Sequence, residues 1–121
     1  VMVIHCNHAN ELDAPTAEYL QRARAAGVTL LNQAVLLKGV NDTLDAQVQL
    51  SQRLFTCGVL PYYLHVLDKV AGAAHFDSSE QAATELYWSL LASLPGYLVP
   101  KLVRELPNKP FKVPIDIYSN S

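Results

Sequence analysis

The chain has 121 residues, 50% of them hydrophobic and 17% charged, which suits one domain with a real core. Its net charge of −2 and scattered lysines and arginines argue against a nucleic-acid partner. No apolar run reaches the roughly eighteen residues of a membrane span, and the opening VMVIHCNHAN lacks the basic start of a secretory signal. Cys6 and Cys57 show no CxxC spacing, so two reduced cysteines in a cytoplasmic protein are expected.

In chain order, Val1-Met2-Val3-Ile4 is a β-branched, apolar run that ends in His5, Asn7 and His8. A helix is predicted next, with Asp13 as cap, Pro15 in its first turn, and Ala17, Leu20, Ala23 and Ala26 at helical spacing before Gly27. Val28-Thr29-Leu30-Leu31 is a second strand, running into Asn32 and Gln33. A second helix follows Asn41-Asp42-Thr43, carries Leu44, Val48, Ser51 and Phe55 on one stripe, and closes at Gly58. Val59 to Leu64 forms a third strand that leads to His65 and Asp68. A third helix begins near Ser78-Ser79-Glu80, runs through Ala83, Leu86, Tyr87, Leu90 and Leu91, and stops at Leu94-Pro95-Gly96.

The end of the chain reads differently. Tyr97 to Val103 is strand-like, with Pro100 implying an edge or bulge. Leu106 to Pro114 holds three prolines and no period, a loop leading to Val113-Pro114-Ile115-Asp116-Ile117, and the last residues fray.

Short apolar runs separated by helices fit strands buried on both faces, hence a parallel sheet. The strands recur about every thirty residues, the size of a βαβ unit. Three such units cannot close an eight-fold barrel. The expected fold is therefore α/β, the C-terminal part of a partial βα barrel, with three βα units over 1–96 and a distinct segment over 97–121. In such sheets the loops at the strands' carboxyl ends open onto one crevice, so the polar clusters there are candidates for one site.

Each candidate has a plain structural reading beside a chemical one. His5, His8 and Glu11 form an H-x-x-H-x-x-E run, but strand positions three apart face opposite sides, which weakens a metal site. Asn32 and Gln33 are either hydrogen-bond anchors or amides that fix a ligand. Asp68 beside Lys69 is either an exposed pair or a clamp for a cationic substrate. His65 suits a core as well as a site, and Gly72-Ala73-Ala74 before His75 would allow close backbone approach to a ligand. Lys112 resembles any solvated lysine, yet Schiff-base lysines look ordinary in sequence because burial and neighbours set their pKa.

Taken together, HCNHANEL, LLNQAVLLKGVND, PYYLHVLDKVAGAAHF and GYLVP…KVP resemble the lysine 2,3-aminomutase family over residues 1 to about 117. That family uses S-adenosylmethionine (SAM) as a radical source together with pyridoxal phosphate (PLP). The signature around His65, where free-lysine enzymes usually carry tyrosine, is similar to the branch that serves translation elongation factor P. There (R)-β-lysine made from L-lysine is attached to the factor by a lysyl-tRNA-synthetase-like ligase.

The resemblance implies roles by position. His5 and Gln33 would contact SAM, Asp68 would bind the substrate ammonium, and Lys112 would hold PLP. Glu105 falls where relatives have an aspartate that also grips substrate, and its extra methylene moves the carboxylate. Lys109, in Asn108-Lys109-Pro110-Phe111, is a rival for Lys112. The CxxxCxxC that holds the family's 4Fe–4S cluster is absent, so this chain alone is expected to be inactive and to self-associate through an open sheet edge. The alternatives are a non-enzymatic α/β small-ligand-binding module and a metal-dependent βα-barrel hydrolase using His5 and His8.

Overall fold

A computed structural model describes residues 1–66, 76–105 and 112–114, with backbone alone at 76–80, 105 and 112–114. The elements are β1 (Met2–Ile4), a 3₁₀ turn (Ala9–Glu11), α1 (Ala14–Ala25), β2 (Leu30–Val35), α2 (Leu44–Thr56), β3 (Leu60–Val66), α3 (Phe76–Ser93), a second 3₁₀ turn (Gly96–Leu98), β4 (Lys101–Glu105) and β5 (Lys112–Pro114).

The strands form one sheet in the order β1-β2-β3-β4-β5. The first four run parallel and β5 returns antiparallel to β4. Strands added in chain order through right-handed crossovers put every helix on the same face. The core shows this: Leu20 of α1, Leu50 and Leu54 of α2 and Tyr87 of α3 meet Leu30, Ala34, Leu64 and Leu102 of the sheet. A second apolar group joins Leu90 of α3 and Leu94 just past its end to Leu98, with Leu44 and Val48 of α2 packed on it. The result is an α/β parallel sheet with interspersed helices, a partial βα barrel that does not close.

Both α1 and α2 end the same way, and that ending delays the strand after each. Gly27 and Gly58 take φ of +91° and +81°, the left-handed region open to glycine. The amides of Gly27 and Val28 return to α1 carbonyls, and those of Gly58 and Val59 to α2 carbonyls. Residues 28 and 59 are thus used in closing helices, so the strands start at Leu30 and Leu60 rather than at 28 and 59.

Four further readings of the sequence need correction. Asn32 and Gln33 lie inside β2 rather than beyond it. Asn32 is tolerated there because its side chain extends the β1 ladder: its Oδ1 accepts the Cys6 N–H at 2.9 Å and its Nδ2 donates to the Cys6 carbonyl at 3.0 Å. Phe55 is not on the buried stripe of α2 but 48% exposed against Tyr97, while Leu54 is 1% exposed. The sheet lies under Gln47, Leu50, Ser51 and Leu54, and Leu44 and Val48 turn toward α3. Residues 96–98 form a 3₁₀ turn, and the strand begins after Pro100, whose carbonyl accepts the Tyr87 hydroxyl at 2.6 Å. The strands are not all buried on both faces: β2 alternates buried Leu30, Asn32 and Ala34 with half-exposed Leu31, Gln33 and Val35, whereas the neighbours Leu64 and His65 of β3 and Leu102 and Val103 of β4 are all buried. The Gly72–His75 loop and residues 115–121 lie outside the described residues.

Candidate functional site

The face of the sheet opposite the helices is organised by register. Met2 and Ile4 pack on the core, which leaves Val3 on the other face opposite Leu31. Between Asn32 and Gln33 the β2–β3 pairing slips: Pro61 pairs with Asn32, yet Tyr63 pairs with Gln33. Tyr62 is the extra residue of a bulge. Pro61 and Leu64 therefore stay on the core side, while Tyr62 and Tyr63 reach the open face together, their rings 4.4 Å apart.

Two rows of residues result. Gln33 of β2 stands opposite Tyr63 of β3, which stands opposite Lys101 of β4. One step further along, Val35, His65, Val103 and Pro114 align across β2 to β5. Beyond them the β4–β5 ladder pairs Glu105 with Lys112. His5 follows the paired Ile4 by one residue, as Gln33 follows Asn32, and it is exposed. Thus His5, Gln33, Glu105 and Lys112 occupy successive positions on one face. Asp68, two residues past the end of β3, and Lys109 lie outside the described residues.

The chemistry of this face is polar and aromatic. The Lys101 ammonium sits 5.4 Å from the centre of the Tyr62 ring, within cation–π range. His65, 8% exposed, meets the Tyr63 ring edge-on at 5.8 Å. Hydrogen bonding to Tyr62 holds the Tyr63 phenol above its ordinary pKa. Nothing in the sequence marks Tyr62, Tyr63 or Lys101 as neighbours of Gln33. Counting alternation through an unseen bulge assigns Tyr62 and Tyr63 to opposite faces.

The loops at the strand ends are held by side-chain amides. Asn41, wholly buried, accepts the Leu37 N–H at 2.7 Å and donates to the carbonyls of Asn7 and Val35 at 2.8 and 2.9 Å. The Asn7 side chain accepts the Val35 N–H at 2.9 Å, and Gln47 donates to the Asn41 carbonyl at 2.8 Å. Asn32 is therefore an anchor, whereas Gln33 keeps its place on the open face. Within the H-x-x-H-x-x-E run, His8 and Glu11 cap the first 3₁₀ turn: His8 Nδ1 accepts the Asn10 N–H, and Glu11 Oε2 accepts the N–H groups of Asn7 and His8, both at 2.8 Å. Among the described residues no group of three or more His, Cys, Asp or Glu is arranged to hold a metal. No helix among them is long and apolar enough to cross a membrane.

Cys6 and Cys57 are buried free thiols. Burial pushes the Cys6 thiol up to about 11, and its Sγ donates to the His8 carbonyl at 3.3 Å. A cluster bound by three thiolates does not fit two buried thiols, one of them held protonated.

No protein-family model matches the chain. It is similar to proteins named L-lysine 2,3-aminomutase from several organisms. The protein of Escherichia coli strain K12 is 51% identical over 117 residues, which make up 97% of this chain and 34% of that protein. The Haemophilus influenzae protein is 55% identical over 114 residues, 93% of this chain and 33% of its own length. The Clostridium subterminale protein is 35% identical over 111 residues, 92% of this chain and 27% of its own length. The chain spans about a third or less of the length of these relatives.

Proposed function

We propose, for a chain homologous to the lysine 2,3-aminomutase family over nearly all its length, that it forms the C-terminal part of an enzyme converting L-lysine to (R)-β-lysine. The similarity over 93–97% of the chain carries this reading. The open sheet face supports it, because four of the five implied site residues fall on that face and the fifth follows the end of β3. In this reading residues 1–96 supply βα units of the barrel and 97–121 the segment with the PLP lysine.

The chain's own residues would bind and orient. His5 and the Gln33 amide, at the same level of neighbouring strands, offer donors and acceptors suited to the polar groups of SAM. Asp68 supplies a carboxylate for the substrate ammonium. Lys112 supplies the primary amine that a pyridoxal aldehyde requires, at the position paired with Glu105 across the β4–β5 ladder. PLP, when bound, supplies the delocalised ring that lets nitrogen shift between neighbouring carbons. His65 and Tyr63 form an aromatic floor between the SAM-side and PLP-side positions. The 4Fe–4S ligands lie outside this chain, so the chain alone is inactive. The residues around His65 favour the branch whose product is destined for elongation factor P through its lysyl-tRNA-synthetase-like ligase.

The test is borohydride reduction of the full-length protein with PLP, then peptide mapping. The pyridoxyl group is expected on Lys112, and Lys112→Ala should remove both the label and β-lysine formation. A label on Lys109, or activity that survives Lys112→Ala, would sink the assignment.

A further inference from the structure

We propose that Lys101 is a positioning residue for the SAM side of the site: its ammonium, seated over the Tyr62 ring, fixes the Tyr62–Tyr63 pair that walls the position of Gln33. The inference rests on the reading of Gln33 as a SAM contact. It adds a lysine and two tyrosines to which the family resemblance gives no role.

The bulge at Tyr62 creates the arrangement. Plain alternation would put Tyr62 and Tyr63 on opposite faces of β3, and Lys101 could then meet only one of them. A bulged residue is left out of the ladder, so Tyr62 depends on its side chain for its place. Two contacts supply it: the Tyr63 ring at 4.4 Å and the Lys101 ammonium at 5.4 Å, each measured to the Tyr62 ring centre. Among the described residues the ion pair is Arg22 with Glu18, and no carboxylate there draws Lys101 away from the ring. Tyr63 carries the constraint onward, because it stands directly opposite Gln33 and meets His65 edge-on at 5.8 Å.

The charge of Lys101 and its packing act on SAM in opposite directions. SAM carries a sulfonium, an ammonium and a carboxylate, one net positive charge. Lys101 lies two strands from Gln33, a separation of about 10 Å. Repulsion over that distance is close to the screening length and weak, whereas losing the contact that orders two rings alters the wall beside Gln33 itself. Repulsion alone predicts tighter SAM binding once the charge is removed. Positioning predicts weaker binding.

The experiment measures the affinity of the full-length protein, with its iron–sulfur cluster in place, for SAM by equilibrium dialysis. Lys101→Met is expected to weaken binding about three- to ten-fold, and Lys101→Arg, which keeps a cation over the ring, should restore most of it. In a Tyr62→Leu background, or Tyr62→Met if that variant does not fold, Lys101→Met should add less than about two-fold, because the ring it acts through is gone. Unchanged or tighter binding by Lys101→Met overturns the proposal, as does a full loss that persists without the Tyr62 ring. Gln33→Ala separates the two readings. If it weakens SAM binding while Lys101→Met does not, the positioning role falls and the Gln33 assignment stands; if SAM affinity is unmoved by Gln33→Ala, both fall.

Discussion

At the scale of single residues, buried amides tie the loops of the candidate site to the strands. Asn41 joins Leu37, Asn7 and Val35 through three hydrogen bonds while wholly shielded from water. Asn41→Ala would leave one buried N–H and two carbonyls to find new partners, each orphan costing about 1–3 kcal/mol before relaxation. A loss of about 2–4 kcal/mol in urea unfolding is expected, and a loss below about 0.5 kcal/mol would show that the network is dispensable. Cys6 gives a pH signature. Its folded value of about 11 lies above the ordinary thiol range because burial disfavours the thiolate. The stability from keeping it neutral is thus fully present below the unfolded thiol's pKa and is lost as pH rises from there toward about 11. Thermal unfolding followed from pH 8 upward should fall more steeply for the unsubstituted chain than for Cys6→Ala. Parallel curves would rule this out.

At the scale of elements, α2 shows how one residue of helical phase decides what is core. Its stripe reads plausibly through Phe55, the larger apolar side chain, yet the sheet takes Leu54 and leaves Phe55 against Tyr97 with their ring centres 5.5 Å apart. Leu54→Ala should therefore cost about 2–4 kcal/mol, whereas Phe55→Ala should cost under about 1 kcal/mol. Chemical denaturation of the two variants checks this, and equal losses would contradict the packing. The bulge at Tyr62 has the same character. One inserted residue turns Tyr62 and Tyr63 onto the face shared with Gln33, and strand alternation without the bulge could not have done so.

For the molecule as a whole, the sheet ends at β1 on one side, with Val1 89% and Val3 39% exposed. A strand at a sheet's edge offers backbone groups for pairing, and here the uncovered face adds Leu60, 41% exposed, beside it. The isolated chain is expected to form dimers or larger species at micromolar concentration, measured by size-exclusion chromatography with light scattering. A monomer throughout that range would mean that the edge and face are adequately solvated.

The sequence by itself determined the α/β class, the three βα units and the caps that open and close their helices. Those features depend on neighbours in the chain: Asp13 accepting the Thr16 N–H, Gly27 and Gly58 taking positive φ, and apolar runs too short for helices. It also brought His5, Gln33, Glu105 and Lys112 forward as candidates, through resemblance rather than periodicity. Which of them share a face was decided only in the folded sheet. Register between strands some thirty residues apart depends on pairing that no local window contains, and here it hinges on a one-residue bulge. The fate of the neighbouring amides was decided there too. Asn32 and Gln33 are equivalent as a dipeptide, but alternation across β2 turns Asn32 into the core onto Cys6 and leaves Gln33 on the open face. The pairing of Glu105 with Lys112, seven residues apart in the chain, likewise exists only because β5 folds back antiparallel on β4.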